Sequence, residues 1–257
     1  MYSMFLKASV AVLLLGVFVA HGQESPADQP KKKQETISMS SMAKRIAAAL
    51  QEGESGTAIA FADAMVRQHR DDPNALRVAA DVYLRTGKVE SAARFFDRYV
   101  KSSPRGLPGL WQRGIALYFI GEYSEAAKQF EEHRKVNPFD VENAAWHFVC
   151  VAKAESAEQA KELVLPAPND SRIPMREVHQ MLTTGDTDVV IDRMSQTADG
   201  SEDQKEAEFY GNFYLGLYAD ALGEQKKARK YLALAAEDAP HHYMGDIARV
   251  YASRLGK

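Results

Sequence analysis

The chain has 257 residues, of which 46% are hydrophobic and 26% are charged, so it is long and apolar enough to bury a core of its own. Its formal net charge is −3, whereas nucleic-acid-binding proteins usually present a basic face, so the composition argues against a nucleic acid partner. The sequence lacks the alternation of apolar and polar residues that is typical of β-strands, and it is rich in alanine, which favours an all-α protein.

The first 22 residues have the pattern of an export signal. Lys7 is the single charged side chain ahead of an apolar run from Ala8 to Ala20, and this run is shorter than the about 20 apolar residues that a membrane-spanning helix needs. Ala20 and Gly22 are small residues at the positions that a signal peptidase reads. We therefore predict cleavage after Gly22, no membrane insertion after cleavage, and export to the periplasm or to the extracellular space. An uncleaved N-terminal anchor is the alternative.

Two predicted segments follow the signal. Residues 23–36 are expected to form a flexible linker, since they contain two prolines and the charged run Lys31–Lys33. Residues 37–72 are expected to form a first, degenerate pair of helices, because good helix formers dominate this stretch and Gly53 and Gly56 interrupt it.

The rest of the chain repeats with a period of 34 residues. Landmark residues recur in two adjacent stretches and in a third stretch near the end: Leu76, Ala80, Tyr83, Gly87, Ala92, Phe96 and Pro104; Leu110, Gly114, Leu117, Gly121, Ala126, Phe130 and Pro138; Leu215, Gly216, Gly223, Ala228, Leu232, Ala235 and Pro240. The small residues allow two helices to approach closely, the glycines form the turn between them, and the proline ends the second helix. This pattern predicts a series of helix–turn–helix units.

In its period and its landmarks the chain resembles the tetratricopeptide repeat family. The resemblance implies a right-handed α-solenoid that occupies residues 37–257. The predicted units cover about residues 37–72, 73–106, 107–140, 141–174, 175–206 and 207–240, the fifth of them with eroded landmarks. Residues 241–257 are predicted to contain a capping helix that covers the end of the last repeat.

The resemblance also implies a concave groove, lined by the first helix of each unit, in which this family binds peptides or partner helices. The residues at the groove positions are Arg77, Asp81, Arg85, Trp111, Ile115, Tyr118, Phe119, Glu142, Trp146, Lys153, Tyr210 and Tyr214. Aromatic anchors beside a few charged groups are typical of binding hot spots. The alternative is that many of these residues pack between the repeats instead.

Three polar residues depart from the repeat pattern and form a predicted polar junction. Arg113 and His147 stand where a first helix usually has an apolar residue, and His133 stands where a second helix usually has a small one. Their register places them near the contact between the predicted units 107–140 and 141–174. Because an unpaired buried charge is costly, Arg113 is expected to have an acceptor as its partner. A structural polar network is the preferred interpretation; a ligand pocket and a catalytic or metal site are the alternatives.

Two further groups are weaker candidates. His241, His242 and Asp246 suggest a divalent metal site, but adjacent histidines rarely point the same way, so a surface turn is preferred. Cys150 is expected to be a buried apolar side chain, with a thiolate–imidazole pair to His147 as the alternative. No His-Glu-x-x-His motif, P-loop or dinucleotide glycine motif occurs, so no metal and no cofactor are predicted.

We therefore predict an exported, non-enzymatic scaffold that binds a protein or peptide partner in its concave groove. The first rival hypothesis is a small-molecule or catalytic site at the polar junction. The second is a structural role through the convex face of the solenoid. No oligomeric state is predicted.

Overall fold

The computed structural model describes residues 37–256, which form thirteen α-helices and one short 3-10 helix, without a β-strand in that range. The predicted export signal and linker lie outside the described residues. The α-helices are α1 Met39–Gln51, α2 Ser55–Gln68, α3 Pro73–Arg85, α4 Val89–Ser102, α5 Trp111–Phe119, α6 Tyr123–Arg134, α7 Val141–Ala154, α8 Ala157–Glu162, α9 Met175–Thr184, α10 Asp188–Ser195, α11 Glu202–Ala221, α12 Gln225–Glu237 and α13 Tyr243–Leu255; the 3-10 helix spans Pro104–Gly109.

Consecutive helices pack in pairs, and each pair packs on the next, from α1 and α2 through to α11 and α12. The prediction of an all-α repeat solenoid is therefore confirmed. Two helices lie in each of the predicted units, except that α11 begins a few residues before residue 207. None of the described helices is long and apolar enough to cross a membrane.

The sequence landmarks explain why the helices of a unit pack so closely. Gly114 of α5 faces the ring of Phe130 of α6, and a Cβ atom added to this glycine would lie 2.6 Å from the ring. Gly216 of α11 is in the same relation to Leu232 of α12, again at 2.6 Å. Both glycines thus allow the first helix of a unit to contact the large landmark residue of the second helix directly.

Polar residues fix where the helices begin. Asp72 precedes Pro73 at the start of α3, and its carboxylate accepts hydrogen bonds from the backbone N–H groups of Asn74 (2.8 Å) and Ala75 (3.1 Å). Asp140 caps α7 in the same way by accepting a bond from the N–H of Glu142 at 3.1 Å. Such caps satisfy amide groups that have no partner inside the helix.

The fourth and fifth units are less regular than the others. Helix α8 has only six residues, and α9 and the long helix α11 pack against α7 beside it. The loop between α8 and α9 contains Arg172, whose guanidinium reaches the N-terminal end of α7. The loss of landmarks here therefore coincides with a local change in packing, while the chain remains a single series of helices.

Candidate functional site

The C-terminal helix α13 lies against the first helices of several units. It packs on α12, which precedes it, and also on α3, far away in the sequence. At its N-terminal end the hydroxyl of Tyr243 donates a hydrogen bond to Asp81 of α3 (3.0 Å). The ring of Tyr243 makes an edge contact with Trp111 of α5, with 4.8 Å between ring centroids. This end of α13 thus contacts residues at predicted groove positions of two units.

An ion pair fixes the next turn of α13. The guanidinium of Arg85, at the end of α3, donates to the carboxylate of Asp246 at 2.6 Å, and the guanidinium of Arg249 donates to the same carboxylate at 2.6 Å. The Arg85 and Asp246 side chains are only 20% and 13% exposed. Because partial burial reduces solvent screening, this pair contributes more than a surface ion pair does.

A buried polar centre connects the middle of α13 to three other helices. Asp220 of α11 accepts hydrogen bonds from the hydroxyls of Tyr251 (2.6 Å) and Tyr118 (2.8 Å), and from the ammonium of Lys153 (3.1 Å). Burial alone would raise the pKa of Asp220, but these donors hold it below its usual value. Burial and the neighbouring carboxylate raise the pKa values of Tyr118 and Tyr251, so both hydroxyls stay protonated and donate.

Aromatic rings surround this centre. Tyr251 stacks on Trp146 of α7 with 6.2 Å between centroids and meets Phe119 edge-on at 5.2 Å. Near the end of α13, Arg254 donates to the backbone carbonyl of Phe119 at 2.9 Å. One face of α13 is therefore in contact with the first helices along its whole length.

The structure accounts for each of the predicted groove residues. Six are buried, namely Ile115, Tyr118, Phe119, Trp146, Tyr210 and Tyr214; Asp81, Arg85, Trp111, Glu142 and Lys153 are partly exposed, and Arg77 is exposed. Helix α13 contacts several of these residues, among them Asp81, Arg85 and Trp111, so the chain's own C-terminal helix covers part of the predicted set. Binding of another protein at these positions stays a prediction.

The three residues of the predicted polar junction each have a partner of their own. Arg113 donates to Asp97 (2.8 Å) and to Gln129 (3.2 Å), a ring nitrogen of His133 lies 2.8 Å from the Pro108 carbonyl, and a ring nitrogen of His147 lies 3.4 Å from Glu131. No hydrogen bond within residues 37–256 joins any two of the three. This arrangement supports the structural interpretation of the junction.

The remaining candidates for chemistry also have structural roles. Cys150 is buried and free, and burial raises the pKa of its thiol well above its usual value, which disfavours the thiolate that a nucleophile needs. The Nδ1 atom of His242 accepts a hydrogen bond from the Gly245 amide (3.2 Å), so this imidazole caps α13. Among the described residues no group of three potential metal ligands occurs.

Next to the N-terminal end of α13 is a cavity of about 260 Å³, here called the Trp111–Trp146 cavity. Helices α5, α6, α7 and α13 supply most of its walls, and its lining residues are Trp111, Phe130, His133, Asp140, Glu142, Asn143, Trp146, His242, Tyr243 and Met244. Sequence reasoning identified Trp111, His133, Glu142 and Trp146 as candidates, but for two separate sites. It missed the side chains that α13 contributes, because the repeat phase carries no information about a helix outside the repeats.

A charged cluster borders this cavity. Arg172 donates to Asp140 (2.8 Å), to Asp170 (2.6 Å) and to Glu142, so three carboxylates share one guanidinium. Glu142 also accepts a hydrogen bond from the hydroxyl of Tyr214 at 2.9 Å. Burial raises the pKa of Glu142 in spite of Arg172.

Two buried polar atoms of cavity-lining residues have no hydrogen-bond partner within the described part of the chain. Asn143 donates through Nδ2 to the carbonyl of Phe130 (3.1 Å), but its Oδ1 accepts no bond. The indole N–H of Trp146 likewise donates to no acceptor. Buried polar atoms are usually satisfied in native proteins, so unpartnered atoms beside a cavity point to a ligand or solvent.

Comparison with known proteins agrees with the observed architecture. Residues 44–106, which span most of α1 to α4, match the family model described as tetratricopeptide repeat. No curated protein matches the sequence. The matched region contains the first two helix pairs, and the same pairing continues through α12. Residues 44–106 are therefore similar to tetratricopeptide repeats, and the paired-helix architecture of this region continues through α12.

Proposed function

We propose that this protein is an exported, non-enzymatic scaffold that binds an amphipathic helix of a partner protein in its concave groove. Tetratricopeptide repeats generally mediate protein–protein interaction. The observation that carries the proposal is that the chain's own helix α13 packs against first helices at several of the predicted groove positions. The partner helix would occupy this position in place of α13.

The contacts of α13 describe the kind of ligand that the groove accepts. Tyr243, Asp246, Tyr251 and Arg254 lie on one face of α13 and contact α3, α5 and the Asp220 centre. Helices recognised in grooves present their anchors at this kind of spacing. A competing helix therefore needs a carboxylate opposite Arg85 and a hydrogen-bonding aromatic residue opposite Asp220.

Competition with α13 sets a threshold for partner binding. Because α13 belongs to the same chain, its effective concentration at the groove is in the millimolar range or above. A partner with only a few contacts would not displace it. The scaffold therefore selects a partner that makes more contacts with the groove than α13 does, or one that also contacts neighbouring surface.

The test weakens the packing of α13 by removing two of its polar contacts, and it then adds a peptide of known sequence as the competing helix. The double variant Tyr243→Phe/Asp246→Asn removes the hydrogen bond to Asp81 and the ion pair with Arg85, and it leaves the apolar contacts in place. A labelled synthetic peptide of residues 241–256 is then titrated into the wild type and the variant. We expect saturable binding to the variant and at least about tenfold weaker binding to the wild type.

The control is Ser253→Ala, a change at an exposed position on the same helix, which should behave as the wild type does. Capture from a native envelope extract with the double variant and the control then identifies the partner. If the folded double variant binds neither the peptide nor any specific protein, the groove is not a binding site for helices.

Export is supported by the signal pattern of residues 1–22 and has its own test. In the producing cell, the mature protein is expected to begin at Gln23 and to be released with the envelope contents. Intact mass and N-terminal sequencing of the native protein measure this directly. A native protein that retains Met1 and remains in the cytoplasmic fraction would exclude export.

A further inference from the structure

We infer that the Trp111–Trp146 cavity binds a cationic alkylammonium group, either of a free amine or of a lysine side chain. This goes beyond helix binding, because Tyr243 and Met244 of α13 form part of the cavity wall. The cavity is thus complete only while α13 is docked, so the inference stands or fails independently of the proposed partner.

The walls suit the apolar part and the charge of such a ligand. Trp111, Phe130, Trp146 and Tyr243 supply aromatic surface and Met244 adds a thioether. The faces of aromatic rings attract cations within about 6 Å, and most strongly when water is excluded. At about 260 Å³ the cavity lies just below the volume that drug-sized ligands need. It therefore suits a ligand of a few heavy atoms or the end of one side chain.

The polar groups of the cavity include three acceptor side chains beside the unpartnered indole N–H of Trp146. Asp140 and Glu142 bring carboxylates, and the Oδ1 of Asn143, a residue only 4% exposed, has no hydrogen-bond partner. Each carboxylate can accept about four hydrogen bonds. Glu142 accepts from Arg172 and Tyr214, and Asp140 accepts from Arg172, from Asn137 and from the N–H of Glu142, so both retain some capacity. An ammonium group has three donors and no acceptor, and it complements this set.

The charges favour a cation over an anion. The cavity-lining residues include neither lysine nor arginine, and the neighbouring Arg172 is shared by Asp140, Glu142 and Asp170. An anionic ligand would therefore meet two carboxylates without a permanent positive charge on the walls. A metal ion is disfavoured because only two carboxylates line the cavity, whereas hard cations take about six to eight oxygen ligands, and the other walls are mainly aromatic.

The chain provides its own reporter for the test. Its two tryptophans, Trp111 and Trp146, both line the cavity, so intrinsic fluorescence reports on this site. The full mature chain is titrated with n-butylammonium chloride, and with n-butanol as the uncharged analogue. We expect a saturable fluorescence change with the ammonium at a dissociation constant of about 1 mM, and binding at least about tenfold weaker with the alcohol. Equal responses to both compounds, or no saturable change with the ammonium, would overturn the inference.

Two aspartate variants distinguish the effect of a carboxylate in the cavity wall from the effect of disturbing the cluster around Arg172. Asp140→Asn removes a carboxylate from the cavity and keeps a side chain that can cap α7. Asp170→Asn removes a carboxylate from the same guanidinium, but Asp170 does not line the cavity. With folding verified by circular dichroism, we expect about tenfold weaker ammonium binding for Asp140→Asn and less than about threefold for Asp170→Asn. Equal losses would contradict the inference, since they would assign the effect to Arg172 alone.

A second pair of probes distinguishes the source of the ammonium. The blocked peptide acetyl-Gly-Lys-Gly-amide and its norleucine analogue are titrated in the same way. Binding of the lysine peptide but not of the norleucine peptide supports a partner side chain as the ligand. Binding of butylammonium without binding of the lysine peptide supports a free amine. Binding of both peptides with equal strength counts against recognition of the charge.

Discussion

At the scale of single residues, Asp220 shows how a buried charge connects distant parts of the chain. Its carboxylate receives two tyrosine hydroxyls and one lysine ammonium, from α5, α7 and α13. The side chain is only 7% exposed, so each of these donors offsets part of its desolvation. Removal of the charge would leave Lys153 without a counter-ion in a partly buried position.

We expect Asp220→Asn to lower the free energy of unfolding by about 2–4 kcal/mol, because it breaks a largely buried ion pair and weakens two charge-assisted hydrogen bonds. Urea unfolding followed by circular dichroism measures the change. Asp71→Asn is the matched control, since the Asp71 side chain is 91% exposed and its ion pair with Arg98 is long, at 3.7 Å. Its free energy of unfolding should lie within about 0.5 kcal/mol of the wild-type value. A loss below about 1 kcal/mol for Asp220→Asn would show that the centre contributes little.

Asp81 predicts a dependence of stability on pH. Burial raises its pKa from 3.8 to about 6, against the lowering effects of Tyr243, Arg77 and Arg85. The folded state therefore holds this proton more tightly than the unfolded state. The resulting stabilisation is fully present below about pH 4 and is lost as the pH rises towards 6. The asparagine in Asp81→Asn cannot ionise, so the variant does not lose stability through this group as the pH rises.

The difference in unfolding free energy between Asp81→Asn and the wild type isolates this group from the other titrating residues. We expect the variant to gain at least about 1 kcal/mol relative to the wild type between pH 4 and pH 7. Chemical denaturation of both proteins at the two pH values measures it. A difference that does not change with pH would mean that Asp81 keeps an ordinary pKa in the folded protein.

At the scale of helices, the sequence predicted the contacts that recur in each repeat and missed the contacts that occur once. The landmarks Gly114 and Phe130 predicted the contact of α5 with α6, because a short period encodes contacts between near neighbours. A capping helix was predicted within residues 241–257, but its sequence does not specify that it also packs against α3 and α5. The bond between Tyr251 and Tyr118 joins residues far apart in sequence, and no local pattern encodes it. The sequence therefore predicted which residues line the first helices, but it did not predict the helix that covers part of them.

Gly114→Ala tests the close approach of the two helices in the third unit. An added methyl group would lie 2.6 Å from the buried ring of Phe130, and we expect a loss of about 1–3 kcal/mol from the forced repacking. This loss opposes the gain of up to about 1 kcal/mol that alanine usually brings inside a helix. Gly56→Ala in α2 is the control, since nothing lies within 4 Å of its added Cβ. Thermal unfolding of both variants should move in opposite directions; a stabilised Gly114→Ala would show that the helices can separate at no cost.

At the scale of the whole molecule, the contacts of α13 distinguish this protein from a solenoid whose repeats contact only their neighbours. In most repeat proteins each repeat contacts only its neighbours, so stability is nearly a sum of local contributions. Here α13 contacts α3 in the second unit, α5 in the third and α12 in the last, and through Asp220 it is bonded to α11 and α7. Helix α13 thus joins the second and third units to the last one, so the described residues are expected to unfold cooperatively.

Tyr251→Phe tests this cooperativity, because it removes one hydroxyl at the Asp220 centre and keeps the ring in place. Loss of this buried hydrogen bond should lower the free energy of opening by about 1–2 kcal/mol. Amide exchange should then be about five- to thirtyfold faster wherever α13 contributes to protection. Hydrogen exchange with mass spectrometry is expected to show this acceleration in α3 and α5 as well as in α13, with Ser253→Ala unchanged. If only the amides of α13 exchange faster, the repeats hold together without it, and the helix is a detachable segment on a conventional solenoid. If α3 and α5 respond together with α13, a partner that displaces α13 also loosens the second and third units, and binding at the groove changes the whole scaffold.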